Sequence, residues 1–235
     1  MGSDFQTPIT IKDAVDRIHN RYYLLPAIQR KFTWNSSQIE MLFDSILQGY
    51  PINSFMMWKI SDSKIKNNYK FYGFLTKFKE RFSEDNEEVA TNGCSDFEAV
   101  IDGQQRLSSL YIGLRGSYAY KMPRKWWYED EKNLPTRRLY LNLSAPVKQQ
   151  YDNQKIYDFR FLSKDDLLTF KKNQTEDVWF EVGTILNLSS IAELNKYIRE
   201  NKLENNSYAC ETLEKLYECV RVKKTINYYL LNFCS

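Results

Sequence analysis

The stretch "AVIDGQQRLSSLYIGL", residues 99–114, predicts a strand, a tight turn and a helix in direct succession. Val100 and Ile101 end an apolar β run, and Asp102-Gly103 is a dipeptide typical of turns. Beyond the turn, apolar side chains recur with the spacing of one helical face, at Leu107, Leu110, Tyr111 and Leu114. The stretch therefore predicts an α/β unit in which a helix begins directly after a strand.

The first turn of such a helix is chemically suited to anions. Its backbone N–H groups lack partners within the helix, and the helix dipole adds positive charge there. Gly103 would let the backbone approach a phosphate, and Arg106 offers a planar pair of charged donors. Gln104 and Gln105 add neutral donors, and Asp102 could hold a divalent cation or orient a water. In the alternative interpretation, Asp102 caps the helix, the glycine makes the turn, and the polar triplet is simply solvated.

A second glutamine-arginine pair lies in "AIQRKFTW", residues 27–34. Gln29 and Arg30 follow the short strand-like run "YYLLP", about 75 residues before the first pair. If the two strands are neighbours, the pairs together form a basic, amide-rich pocket. Trp34 in the same segment is either a platform for stacking a base or DNA, or a lid on the core.

Composition and charge exclude several classes of function. The chain has 235 residues, of which 43% are hydrophobic, and a formal net charge of only +3, so no global attraction to nucleic acid is predicted. The single histidine and the widely spaced cysteines argue against zinc binding and against Ser-His or Cys-His catalysis. We find neither a signal peptide nor a membrane-spanning run, and we expect a cytoplasmic protein without a membrane partner.

Other segments predict the elements around the motif. A helix is expected from Ile11 with Thr10 and Asp13 as its capping pair, and another over 35–48 with Ser37 and Glu40 as a capping box and Gly49 as its stop. "SFMMWKI" and "NNYKFYGFL" are predicted strands joined by a hairpin-like "SDSKIK". Residues 76–95 are charged and predict an exposed insertion or mobile loop. The last third is predicted to be more helical, with "TINYYLLNF" as a closing strand.

The combination of "LPAIQRKFTW", "SILQGYPI" and "VIDGQQRLSSL" resembles the N-terminal domain of the DGQQR family, which includes the GmrSD modification-dependent restriction enzymes. The resemblance covers residues 22–116. Family members usually carry two threonines after the Arg-Leu pair, where this chain keeps the hydroxyls in Ser108 and Ser109. The turn at Gly49, Pro51 and Ile52 also matches.

The resemblance implies a ParB/sulfiredoxin-like α/β domain that binds and hydrolyses a nucleoside triphosphate with Mg²⁺ and regulates a DNA nuclease in restriction or anti-phage defence. It implies catalytic roles for Asp102, Gln104 and Arg106. It implies nucleotide or phosphate contacts for Gln29, Arg30, Gly103, Gln105 and Ser108. Asp102 would also be the Mg²⁺ ligand.

We expect a nucleotide-binding domain over residues 1–120 and additional strands and helices over 121–235, followed in a longer protein by a nuclease domain or partnered by a nuclease subunit. The family's F-x-R-x-N-x-x-G segment and histidine-rich HNH motif do not occur here, so this polypeptide is not expected to cut DNA itself. Two alternatives stay open: a non-catalytic DNA-recognition module, and a scaffold or toxin-antitoxin partner that uses its C-terminal helices.

Overall fold

A computed structural model describes residues 4–28, 30–147, 155–173 and 177–232. Its first sheet has seven strands, in spatial order β1 (Asp4–Phe5), β12 (Asn227–Leu231), β3 (Ser54–Ile60), β7 (Phe97–Asp102), β2 (Tyr23–Pro26), β4 (Phe71–Tyr72) and β6 (Glu88–Val89). The second sheet has the order β10 (Phe159–Leu162), β9 (Thr136–Asn142), β8 (Ser117–Ala119) and β5 (Lys77–Lys79), with β11 (Trp179–Glu181) also paired to β9. Both sheets mix parallel and antiparallel pairs.

Helices surround the sheets and become more frequent toward the C-terminus, which confirms the predicted mixed α/β class. The α-helices are α1 (Ile11–His19), α2 (Ser36–Gln48), α3 (Ser63–Asn68), α4 (Gln104–Arg115), α5 (Lys164–Lys172), α6 (Ile191–Glu200) and α7 (Ser207–Tyr217). A 3₁₀-helix spans Val182–Asn187, and a π-helical turn spans Glu218–Val222.

Helix α4 lies at the centre of the fold. All side chains from Leu107 to Leu114 are buried, because α1, α2 and the 3₁₀-helix surround the helix together with the second sheet. A helix that is buried on every side has little freedom to shift, so its first turn is held in a fixed position at the end of β7.

The capping box predicted for α1 is confirmed, whereas the one predicted for α2 is wrong. Thr10 and Asp13 form the expected reciprocal capping box of α1. For α2 the prediction of Ser37 and Glu40 was wrong, because Asn35 and Gln38 form the box through two hydrogen bonds of 2.9 Å. Glu40 instead accepts a hydrogen bond of 3.0 Å from the Phe161 backbone N–H, and burial raises the pKa of its carboxyl.

Gly49 ends α2 as expected, in a left-handed conformation with φ of +89°. The link predicted as hairpin-like, residues 61–66, is instead mostly helix α3, since Asp62 caps its first turn by accepting from the Lys64 N–H. Strand β4 is consequently short and pairs with β2 rather than with β3.

The prediction of an exposed insertion or mobile loop over residues 76–95 was right only in part: most of these residues are exposed, but the segment also forms strands and contributes to the core. The segment contributes β5 and β6, and it buries the side chains of Phe78, Val89 and Thr91. Phe78 packs against the rings of Phe32 and Tyr118, so aromatic contacts with distant residues outweigh the charged local composition.

The closing strand β12 is paired on both sides. It runs parallel to β3 and antiparallel to β1, so a strand from the end of the chain enters the sheet that carries the DGQQR motif. The division of the chain at residue 120 stays a prediction, and the two predicted parts share this sheet.

Asp44 on α2 gives a first test of the packing. Its carboxylate is 2% exposed and accepts hydrogen bonds from the backbone N–H groups of Ile156 (3.1 Å) and Tyr157 (2.8 Å). We expect Asp44→Ala to lower the free energy of unfolding by about 2 kcal/mol, since the buried Tyr157 N–H and the partly buried Ile156 N–H both lose their partner. Urea denaturation measures this loss of stability. Replacing the exposed Glu211 by alanine is the control, and it should change stability by less than about 0.5 kcal/mol. Equal effects of the two variants would contradict this role.

Candidate functional site

The DGQQR turn lies in a cleft of about 460 Å³. The lining residues are Ile28, Arg30, Trp34, Ile101, Asp102, Gly103, Gln104, Gln105 and Arg106. Strand β2 runs parallel to β7, so their carboxyl ends meet at one edge of the sheet, and the segments that follow them converge there. The structure thus brings Arg30 and Arg106 to one cleft, whereas Gln29 lies outside the described residues.

The N-terminus of α4 has no side-chain cap. Gly103 is the N-cap, with φ of +84°, and Asp102 does not cap the helix as the alternative interpretation required. The first hydrogen bond within the helix runs from the Leu107 N–H to the Gly103 carbonyl. The N–H groups of residues 104–106 therefore remain free of helical partners at the cleft.

Gly103 also packs closely against strand β3. A Cβ atom at this position would overlap the ring of Phe55, which is 2% exposed. The position therefore requires glycine for two reasons: its backbone is left-handed, and the Phe55 ring leaves no room for a side chain.

Arg106 is held by backbone carbonyls beneath the cleft. Its Nη1 donates to the Ile52 carbonyl and its Nη2 to the Ser54 carbonyl (3.2 Å), and the guanidinium lies 4.7 Å from the Phe55 ring centroid. Asp102 Oδ2 is 3.5 Å from Nη2, and the Asp102 carboxylate is 70% exposed. The turn at Gly49, Pro51 and Ile52 thus supports the arginine through a carbonyl group, and Asp102 is open to a ligand.

The two glutamines make different contacts. Gln104 Nε2 donates to the Val100 carbonyl at 2.7 Å, back onto β7. Gln105 reaches across the cleft instead: its Oε1 accepts from the Thr33 N–H (2.9 Å), and its Nε2 donates to the Lys31 carbonyl (2.9 Å). Both side-chain amides thus have protein partners, and the backbone N–H groups of both residues lack partners within the helix.

Ser108 does not line the cleft. It is 4% exposed and lies one turn into α4, next to Ser109, which is fully buried. The structure therefore does not bring the Ser108 hydroxyl to the residues of the first turn that line the cleft.

Trp34 combines the two roles considered for it from the sequence, a lid on the core and a ring at the site. It packs against the core as a partly buried ring, and it also forms part of the cleft wall. Its backbone carbonyl accepts a hydrogen bond of 3.2 Å from the Tyr118 hydroxyl, and burial raises the pKa of that hydroxyl. The backbone at Trp34 is thereby fixed to the second sheet.

Arg30 differs from the neighbouring cations. Lys31 Nζ pairs with Asp85 at 2.8 Å, and Arg106 donates to carbonyls. Arg30 is exposed and has neither an ion pair nor a hydrogen-bond partner among the residues that the structure describes. Its guanidinium is thus available to an anion in the cleft.

Among the described residues, Asp102 is the carboxylate that lines this cleft. Within the described ranges there is no group of three or more histidine, cysteine, aspartate or glutamate residues that could enclose a metal ion. A site with one protein carboxylate suits Mg²⁺ that is bound mainly by phosphate oxygens and water, which is the usual coordination of Mg²⁺ in nucleotide sites.

Sequence reasoning missed the residues beneath and beside the motif. Phe55, Thr33 and the carbonyls of Ile52 and Ser54 hold the site, but they act through a ring face or through backbone atoms. The one available signal was the turn at "GYPINS", which precedes β3.

The fold and the cleft define an α/β domain with a polar site at the carboxyl end of a strand pair. The family described as "GmrSD restriction endonuclease, N-terminal domain" matches residues 11–234, and the chain belongs to this family. The match extends well beyond residues 22–116, on which the resemblance rested. No curated protein matches the sequence significantly.

Family membership connects the chain with restriction and implies association with a nuclease. In the part of the chain that the structure describes, no helix is long and apolar enough to cross a membrane.

Proposed function

We propose that the cleft binds a nucleoside triphosphate with Mg²⁺, and that its hydrolysis regulates a nuclease with which this domain associates. One observation carries the proposal: the uncapped N-terminus of α4 lines the same cleft as the Arg30 side chain, which has no ion pair or hydrogen bond with the described residues. Free N–H groups, the helix dipole and a guanidinium together favour a multiply charged phosphate chain.

The lining residues suggest a division of roles. The N–H groups of residues 104–106 would bind phosphate oxygens, and Arg30 would neutralise their charge. Asp102 would hold Mg²⁺ or orient the attacking water, and Trp34 would contact the base. A volume of about 460 Å³ lies within the range of small-molecule sites in proteins.

Replacing Arg30 tests the proposal directly. We expect Arg30→Ala to weaken binding of ATP or GTP with Mg²⁺ by about 10- to 100-fold, the scale of one lost charge-assisted contact. Isothermal titration calorimetry with a non-hydrolysable triphosphate measures the affinity. Lys31→Ala is the matched control, because it removes an adjacent cation that pairs with Asp85 outside the cleft.

Two results would contradict the proposal. One is equal triphosphate affinity of the Arg30→Ala variant and the parent protein. The other is DNA binding with a steep salt dependence and no nucleotide binding, which would favour the non-catalytic DNA-recognition module.

A further inference from the structure

Gln105 connects the two halves of the cleft. Its side chain bonds the segment of residues 30–34 at two backbone positions, the Lys31 carbonyl and the Thr33 N–H, and a third contact of 3.4 Å joins Oε1 to the Thr33 hydroxyl. Its own backbone N–H belongs to the first turn of α4. The backbone of Gln105 therefore belongs to the proposed anion site, while its side chain binds residues 30–34 on the opposite wall of the cleft.

Other contacts of this segment lead to residues outside α4. Phe32 is 6% exposed and its ring lies 5.4 Å from that of Phe78, while the Trp34 carbonyl is bonded to Tyr118. The Lys31–Asp85 pair joins two side chains that are 69% and 77% exposed, and such pairs contribute little. In the described parts of the chain, Gln105 thus provides the hydrogen bonds that fix the backbone of the segment directly against α4.

We propose that Gln105 is a positioning residue for the nucleotide site: it holds residues 30–34 against α4 so that the Arg30 guanidinium reaches the phosphates. This role rests on the proposed function. Gln105 acts through Arg30 and not through its own amide on the ligand, because both ends of that amide already have protein partners.

The contact requires an amide. Nε2 must donate to the Lys31 carbonyl while Oε1 accepts from the Thr33 N–H, and glutamine provides both groups at the right length. Methionine has a similar length and provides neither. Glutamate keeps the acceptor, but it would place a carboxylate oxygen against the Lys31 carbonyl.

Limited trypsin digestion without nucleotide tests the structural half of the inference. Arg30 and Lys31 are themselves trypsin sites, and we expect Gln105→Met to raise the cleavage rate after them by about tenfold, from the loss of two backbone hydrogen bonds. Gln104→Met is the matched control for this rate, since the Gln104 side chain bonds Val100 on the preceding strand β7 and not residues 30–34. Circular dichroism of both variants confirms that they are folded. An unchanged cleavage rate in Gln105→Met would overturn the inference.

A double-mutant cycle tests the positioning half. We expect Gln105→Met to weaken triphosphate binding, and Gln105→Met combined with Arg30→Ala to bind no more weakly than Arg30→Ala alone. Gln105→Glu should weaken binding at least as much as Gln105→Met, because its carboxylate oxygen would repel the Lys31 carbonyl oxygen. Additive losses would overturn the inference, because they would mean that Gln105 contacts the nucleotide itself.

The same binding measurements distinguish a failure of the proposed function from a failure of the positioning role. A parent chain that binds no triphosphate would overturn the proposed function, and the positioning role with it. Normal binding by the parent together with unchanged binding by Gln105→Met would overturn the positioning role alone.

Discussion

Gly103→Ala should lower the free energy of unfolding by about 2–5 kcal/mol and abolish nucleotide binding. A left-handed conformation costs a non-glycine residue roughly 1–2 kcal/mol, and overpacking a filled core costs about 1–3 kcal/mol more. Both costs apply here, because φ is +84° and the added methyl group would overlap the Phe55 ring. Urea denaturation gives the stability, and calorimetry gives the binding.

Gly49→Ala is the matched control for this prediction. Gly49 has φ of +89°, so the backbone cost is the same, but beyond its immediate chain neighbours no atom of the described residues contacts the position of its Cβ within 4 Å. We expect a loss of about 1–2 kcal/mol and retained binding. Equal losses in the two variants would show that the contact with Phe55 contributes nothing.

Arg106→Ala should reduce nucleotide turnover by about 100- to 1000-fold: its guanidinium lines the cleft, and in the proposed site it is a preorganised charged donor, held in place by the two backbone carbonyls. The side chain also supports the carbonyls of Ile52 and Ser54, so part of the loss will come from movement of β3 relative to the motif. Phosphate release measures turnover, and a parallel denaturation curve reports the structural part.

Two further variants sharpen this prediction. Arg106→Lys keeps the charge but loses the planar contact with Phe55, and we expect it to recover a fraction of the turnover. Arg115→Ala changes an arginine at the other end of α4, which pairs with Asp16 at 2.6 Å, and it should leave turnover unchanged. If Arg106→Ala turns over nucleotide as fast as the parent, the assignment of the site is wrong.

Periodic and capping signals were enough to predict the helix at the motif, the helix from Ile11 and the strand before Asp102. These elements follow from residues close together in the chain, so sequence patterns specify them. The convergence of Arg30 with the motif depended on β2 lying beside β7. The sequence raised that possibility, and only the pairing of the strands established it.

Long-range packing explains what the sequence did not predict. Charged residues surround Phe78 and Val89, yet aromatic rings and strand β4 draw these side chains into the cores. Capping of α2 by Asn35 depended on which of two similar polar residues adopts the extended conformation. The partners of Gln105 and Arg106 are mostly backbone atoms of distant segments, which no side-chain pattern reveals.

The place of β12 between β1 and β3 has a consequence for biosynthesis. Until residues 227–231 leave the ribosome, β3 stays a seven-residue edge that is free to pair with another chain. The sheet beneath the DGQQR turn is then completed last, by a contact that spans most of the polypeptide, and such contacts form slowly.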